Sequence, residues 1–414
     1  MAVLGDYVDL IRGKTYKGAL VGQPGPALLG LGSIVPGGGF RNDFKTYGGE
    51  CPPDLMLAPG DLFVSLKGAT KDGEMIGSIA RLPESVPAGR LTQDTVRLVF
   101  RERDLPFERY IYWLLRTPAY RAYCAGRATG SAVVALSRAD FLSYPVPTLT
   151  PERNMIVNVL EAINDKIDSN RRATSLLEAL GATILESALV MDATGTPEYV
   201  LNRRMGDVAA VLETGSRPKG GVAASDTGVI SLGAESIQSA GVIATTAFKR
   251  VSEEFVETMR RGRLQDGDVL VYKDGGRPGN FIPHVSAFGQ GFPAAIATIN
   301  EHVYRVRAAE GISQGLLYWV LRSPWMDLEM RKRGTGVAIP GLNSTNFRDL
   351  PWPALDGDSA RHLNATLEPM LVCMLQIGGE SMRLSGLRDA LLPELLSGRI
   401  REPETAAVVQ DGTE

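Results

Sequence analysis

The stretch from Pro151 to Val190, PERNMIVNVLEAINDKIDSNRRATSLLEALGATILESALV, decides how this chain is built. Its apolar positions Ile156, Leu160, Ile163, Ile167, Leu177 and Ile184 lie on alternating steps of three and four, or on sums of such steps. That spacing places them on one stripe of a helix that packs along a second helix. At an offset of 207 residues the ladder returns as Leu363, Leu367, Met370, Met374, Leu384 and Leu391. The weak rungs correspond as well: Asn170 with Ile377, Thr174 with Ser381, Gly181 with Arg388. Each copy predicts one helix of roughly 36 residues, about 54 Å long. A long helix carried twice, half a chain length apart, implies a molecule made of two halves.

Working outward from the helices, the rest of the chain repeats in the same order. Leu4-Gly5-Asp6 recurs as Met205-Gly206-Asp207, Leu31-Gly32 as Leu232-Gly233, and Gly60-Asp61 as Gly267-Asp268. Tyr112-Trp113-Leu114-Leu115-Arg116-Thr117-Pro118 recurs as Tyr318-Trp319-Val320-Leu321-Arg322-Ser323-Pro324. Thr129-Gly130 maps to Thr335-Gly336, Leu136 to Leu342, Phe141 to Phe347, and Pro145-Val146-Pro147 to Pro351-Trp352-Pro353. One matched pair is coincidence; an ordered series is a duplication. Short apolar runs broken by Gly and Pro, such as Ala27 to Ile34, Leu62 to Leu66 and Thr95 to Phe100, predict strands in the first half. One helix interrupts them, Phe107 to Thr117, ended by Pro118. The Pro-x-Pro segments are expected to be turns entering the long helices, with Thr150 as N-cap of the first.

The fold class predicted is therefore α+β: a tandem duplication of a mixed α/β domain plus long helix. The two helices are expected to form an antiparallel coiled coil with pseudo-two-fold symmetry; parallel packing against a separate partner chain is the alternative. Expected boundaries are 1–150 for the first domain, 151–191 for the first long helix, 198–354 for the second domain and 355–400 for the second helix. Residues 401–414 are expected to be a flexible tail.

Composition excludes several classes. At 414 residues, with 44% hydrophobic and 22% charged residues, the chain has the balance of a globular protein with room for two or three cores. No apolar run is long enough to span a membrane, and the first residues lack a secretory signal. Cys51, Cys124 and Cys373 are isolated, which fits a reducing compartment; His284, His302 and His362 share no metal-ligand spacing.

Enzyme signatures fail. Gly30-Leu31-Gly32 lacks the third glycine of a dinucleotide loop, and neither Gly37-Gly38-Gly39 nor Gly220-Gly221 is followed by Lys-Ser/Thr. Asp266 and Asp268 raise the alternative of a metal-dependent nuclease, but the expected following lysine is missing and the first half offers Pro59 and Asp61. What repeats instead suits DNA. Lys67-Gly68 and Lys273-Asp274-Gly275 each put a cation on a tight turn at a strand end. Arg127-Ala128-Thr129-Gly130-Ser131 and Arg333-Gly334-Thr335-Gly336-Val337 form a second pair of loops. Asn343 and Asn346, opposite Ser137 and Arg138, can offer bidentate groups, and Arg277, Arg331 and Lys332 add charge. The alternative for any one cationic run is solvated surface. Tyr112, Trp113, Tyr318 and Trp319, on leucine-flanked helices, are assigned to the core rather than to base stacking.

With these residues in place, the chain resembles the specificity subunit of a Type I restriction-modification enzyme over residues 3 to about 400. The resemblance rests on the duplicated domain-plus-helix order, Leu-Gly-Asp at the start of a half, Gly215-Ser216-Arg217-Pro218, Gly-Asp before a strand, the Thr-Gly turn and the aliphatic-Pro-x-Pro helix entry. Gly13-Lys14-Thr15-Tyr16 departs from it by lacking the usual proline. The resemblance implies a non-catalytic subunit of a phage-defence complex. Two target-recognition domains would read a bipartite double-stranded DNA sequence, in the cytoplasm. The helices, through the seam residues named above, would act as spacer and as dock for two methyltransferase subunits, which restriction/translocase subunits can join. S-adenosylmethionine would belong to the methyltransferase; the chain itself would carry no cofactor. A DNA-reading subunit of another phage-defence system is the neighbouring alternative.

Overall fold

The computed structural model describes residues 2–42, 44–68, 73–130, 134–219, 227–236, 240–241, 248–277, 279–289, 292, 296–336 and 340–397. The expected tail, Ser131, Val337 and Gly220-Gly221 lie outside them. The chain divides into two compact units: Met1–Ile163 with Leu387–Glu414, and Asn164–Gly386. Both divisions fall inside the long helices.

In the first unit, four antiparallel strands lie in the order Val8–Arg12, Thr95–Phe100, Leu62–Ser65, Ile79–Arg81. A smaller sheet pairs Ala27–Leu29 in parallel with Gly89–Leu91, and Met56–Leu57 lies antiparallel on its far side. Two helices follow, α1 (Leu105–Leu114) and α2 (Pro118–Arg127), then a short α3 (Arg138–Leu142). Sequence expected one helix ending at Pro118. Instead Pro118 opens α2 as its first residue, where a missing N–H costs nothing, with the Thr117 side chain accepting from Tyr120 N. The aromatic pair is core, as expected: Tyr112 and Trp113 are 4% and 0% exposed.

The long helix α4 (Pro151–Ser187) runs 37 residues. Thr150 caps it as expected, its Oγ1 accepting from Arg153 N at 3.4 Å. Within the first unit, Ile156, Val157 and Leu160 enter the same core as Leu62, Val64, Trp113 and Phe141. Glu161, nearly buried, accepts from Trp113 Nε1 at 2.5 Å and from Arg81 Nη1 at 2.8 Å, which ties α4 to α1 and the sheet.

The second unit repeats this plan. Its four-stranded sheet has the same order, Ala209–Thr214, Val303–Ala308, Val269–Tyr272, His284–Ala287, again antiparallel. Val229–Leu232 pairs in parallel with Ala297–Ile299, but the third strand, Arg250–Val251, sits beside Val229–Leu232 and not on the opposite edge. Helices α5 (Met205–Val208), α6 (Glu253–Thr258), α7 (Gln314–Arg322), α8 (Pro324–Arg333) and α9 (Ser344–Arg348) follow in order. Pro351–Pro353 is not the turn expected from sequence. It is a strand, antiparallel to Tyr199–Arg204, with Trp352 buried in the core. Val3 and Pro145 form the matching bridge in the first unit.

The second long helix, α10 (Gly357–Leu391), runs 35 residues and carries Pro369 inside it. Within the second unit it lies antiparallel to the C-terminal part of α4. Lys166 and Asn170 meet Glu380 and Ser381, while Leu177 to Leu189 share a core with Leu363, Leu367, Leu371 and Met374. Ile167, Leu363, Leu367 and Met374 are buried; Leu177, Ile184, Met370 and Leu384 are half-buried. Helix α7 brackets both. A Cβ on its Gly315 would sit 2.5 Å from the Leu367 carbonyl of α10, and its Trp319 covers Gly181 of α4. In the first unit, Leu392 and Leu395, at the end of α10 and in the short α11 (Glu394–Ser397), enter the core. Each unit is therefore closed by the start of one long helix and the end of the other.

Candidate nucleic-acid interface

In both units the strand-end lysine and the Thr-Gly loop are stitched into one patch. In the first, Thr129 and Ala135 exchange both backbone hydrogen bonds at 2.9 Å, Leu136 N donates to Leu66 O, and Gly68 N donates to Val134 O. In the second, Thr335 and Gly341 exchange both at 2.7 Å, Leu342 N donates to Lys273 O, and Gly275 N donates to Pro340 O. Lys67 Nζ lies 3.1 Å from Asp94 Oδ1, with the side chains 40% and 31% exposed. Lys273 Nζ lies 2.7 Å from Asp274 Oδ2 and 5.7 Å from the centre of the Tyr304 ring. Lys67 with Thr129 and Lys273 with Thr335 are thus brought together, a juxtaposition that the order of residues did not indicate.

The polar residues beyond the loops serve first as helix caps. Ser137 and Asn343 occupy the same place at the starts of α3 and α9. Ser137 Oγ accepts from Asp140 N at 3.0 Å, and Asn343 Oδ1 from Asn346 N at 2.8 Å. Asn346 Nδ2 donates to Arg333 O at 2.8 Å and so holds the Thr335 loop to α9. Satisfying the first N–H groups of a helix is what Ser and Asn do at that position. Arg138 is exposed on α3. Arg127, the last residue of α2, places its guanidinium 3.8 Å over the Tyr123 ring. Arg277 is exposed on the hairpin formed by Gly276–Arg277 and Asn280–Phe281.

The basic run at the end of α8 is partly neutralised. Arg331 pairs with Asp327 at 2.6 Å, and Lys332 and Arg333 both pair with Glu329. Burial pushes the Glu329 carboxyl up, but the two cations outweigh it and hold it below the usual range. Two carboxylates within one turn lower the outward field of the three cations.

The repeated acids are framework. Asp61 accepts from Ala58 N at 2.8 Å and pairs with Arg97 of the neighbouring strand at 3.0 Å. Asp268 accepts from Gln265 N at 2.6 Å and pairs with Arg305 at 2.5 Å and Arg307 at 2.8 Å, at 0% exposure. The preceding Gly60 and Gly267 have φ of +89° and +81°, which explains why Gly precedes each acid. Likewise Asp6 and Asp207 accept from Val3 N and Arg204 N at 2.8 Å. Both oxygens of Asp268 are taken by cations and backbone, so the nuclease alternative loses its principal ligand. Among the described residues no group of three or more His, Cys, Asp or Glu is placed to hold a metal ion.

Sequence reasoning missed a cationic cleft in the first unit, lined by Arg12, Gly13, Lys14, Thr15, Lys67 and Gln93. The corresponding loop of the second unit carries Arg217, paired with Glu301 at 2.8 Å, and His302 stands 3.0 Å from Asp274. A signal existed. Gly13 and Gly215 both lie where a Cβ would strike a carbonyl of the facing turn, Thr92 O at 1.9 Å and Ile299 O at 1.6 Å.

The whole-chain arrangement has a counterpart among solved structures. The S subunit of a Type I restriction-modification system from M. genitalium matches with a TM-score of 0.53 at 13% identity, over 95% of this chain and 94% of that one. This is the specificity-subunit fold. At that identity the likeness is one of fold, and it includes the duplicated halves and the packed long helices. The HsdS subunit from Thermoanaerobacter tengcongensis aligns over 95% of both chains at 15% identity with a TM-score of 0.30. A structure described as bearing on complex assembly and conformational transition of the type I R-M system aligns over 94% of this chain and 97% of that one, at 16% identity and 0.32. The specificity-subunit fold thus rests on the first comparison. No family model and no curated protein matches the chain. Among the described residues no helix is long and apolar enough to cross a membrane.

Proposed function

We propose that this chain is a non-catalytic DNA-recognition subunit of a Type I restriction-modification complex in the cytoplasm. Each globular domain reads one half of a bipartite double-stranded sequence, α4 and α10 set the gap between half-sites, and two methyltransferase subunits dock on the helices. S-adenosylmethionine chemistry then belongs to the methyltransferase, and restriction/translocase subunits join the same assembly. The observation that carries this reading is the duplicated domain-plus-helix fold, with a strand-end lysine and a Thr-Gly loop joined in one patch in each half. Linked modules gain effective concentration only when the spacing of their sites matches the linker. Residues proposed to touch DNA are Lys67, Arg127, Thr129 and Arg138 in the first domain. In the second they are Lys273, Arg277, Arg331, Lys332, Arg333, Thr335, Asn343 and Asn346.

Mapping methylated adenines in the host genome, with and without this gene, tests the reading. A bipartite motif should lose methylation on deletion; an unchanged methylation map would sink the proposal. The purified chain, incubated with duplex and magnesium or manganese, should cut nothing, and reproducible cleavage would restore the nuclease alternative.

A further inference from the structure

We propose that the cleft between the Arg12–Thr15 loop and the Gln93 turn is a backbone-phosphate grip that sets the first domain on its half-site. The inference rests on the DNA-recognition reading and adds to it a site of which the repeat marked only Lys67. Arg12 ends its strand, and its Nε donates to Gln93 O at 3.2 Å, so the guanidinium lies across the cleft mouth. Lys14 is bridged through its backbone to Thr92, and Gly13 N donates to Thr95 O at 3.0 Å. These contacts seat the loop directly on the turn. They require glycine at position 13, because a Cβ there would stand 1.9 Å from Thr92 O. The result is a guanidinium, two ammonium groups, a hydroxyl and a carboxamide around one open cleft.

That donor set suits phosphate oxygens, which accept from Arg, Lys, Thr and Gln and carry position without sequence. The cations are held by exchangeable partners. Lys14 Nζ is 3.4 Å from Asp54 Oδ2, with both side chains more than half exposed, and Lys67 is held by Asp94. Exposed pairs of this kind contribute little to stability, and a phosphate takes over the cations at small cost. The ligand is a duplex backbone and not a free nucleotide. The cleft is open and, among the described residues, lined by no aromatic side chain against which a base would stack. Lys67 is also joined through the stitched strand end to the Thr129 loop, which Arg127 precedes at the end of α2.

The test is a salt titration of binding to the methylated target duplex, using the full chain co-purified with its methyltransferase subunits. Each phosphate interaction removed should lower the slope of log K against log salt by about 0.9. Arg12→Gln with Lys14→Gln, both at exposed positions, should reduce the slope by roughly one to two and weaken binding about tenfold or more at moderate salt. Their melting temperature should match that of the parent. Asp94→Asn should act in the opposite direction, tightening binding and steepening the slope, because it removes a competing anion. An unchanged slope in the double variant, or weaker binding by Asp94→Asn, overturns the grip while leaving DNA recognition in place. Absence of any duplex binding by the parent complex overturns the recognition reading and the grip together. Inorganic phosphate should compete no better than chloride at matched ionic strength; selective displacement by it would make this a small-anion site and overturn the assignment.

Discussion

Asp268 shows what a repeated residue means in this chain. It recurs with Asp61, opens a strand, and stands beside Asp266, which made it the best acid for a metal. In the structure it is wholly buried and held by Arg305, Arg307 and Gln265 N. Removing one member of a buried ion cluster leaves the others uncompensated, at about 3–5 kcal/mol. Asp268→Ala should therefore lower unfolding stability of the second unit by that order in a urea titration. Loss of less than about 1 kcal/mol would show that the cluster is relaxed by solvent. Asp61, paired among the described residues with Arg97 alone and less deeply buried, should cost less when replaced. Asn343 likewise has a framework task, its Oδ1 capping α9, which leaves its Nδ2 for the proposed DNA contact.

At the scale of elements, glycine decides how closely the long helices approach the second domain. In an isolated helix Gly181→Ala would stabilise by about 0.8–1.0 kcal/mol. Here a Cβ would stand 2.2 Å from Trp319 Cε2; the buried core backs Trp319, and its Nε1, donating to Glu178 O of α4 at 3.1 Å, holds the ring against this same turn. Overpacking of this kind costs about 1–3 kcal/mol, so the clash outweighs the propensity and the variant should melt lower. A rise in melting temperature would mean that α7 yields.

The pairing of α4 with α10 has a polar layer as well. Asn170, 3% exposed, donates to Glu380 Oε2 at 2.8 Å and Ser381 Oγ at 3.1 Å, and accepts from Lys166 at 3.0 Å. A buried amide among apolar rungs penalises shifted registers, in which it would lose its partners. Hydrogen bonds from Lys166 and then Asn170 hold the Glu380 carboxyl below its ordinary value of 4.5. A depressed folded value means that the contribution is fully present above about pH 4.5 and is lost as pH falls through the folded value. Glu380→Gln should therefore flatten the acid side of the stability profile and leave neutral pH nearly unchanged. A parallel shift at every pH would contradict this.

At the scale of the whole molecule, the two units are built alike and yet differ where DNA contact is proposed. The large sheets share strand order, whereas the small sheets attach their third strands on opposite sides and the cleft loops carry Arg12 and Lys14 in one unit, Arg217 in the other. On the proposed reading, such a pair would recognise two half-sites of different sequence. Deleting one heptad from both α4 and α10 should change the spacer between half-sites and leave the half-site sequences as they were, read from the genome-wide methylation motif. An unaltered spacer would remove the helices from the role of ruler.

The duplication, the two long helices and the core placement of Tyr112, Trp113, Tyr318 and Trp319 were legible from residue order, because a repeat offset and a three-four spacing are properties of a line. The repeat located Lys67, Lys273 and both Thr-Gly loops for the same reason. At Asp268 it marked a framework acid, and it was silent on Arg12 and Lys14, since repetition marks what a framework needs twice and the proposed contact residues of the two cleft loops differ. Only the tertiary structure decided that Pro118 starts a helix, that Pro351–Pro353 is a strand, and that the end of each long helix closes a core which the start of the other opens. These outcomes depend on packing between residues a hundred or more positions apart, such as Glu178 with Trp319 or Leu395 with the core around Trp113. The helix from Pro151 carried its own pattern in sequence; what it packs against was settled by burial and hydrogen-bond satisfaction across the fold.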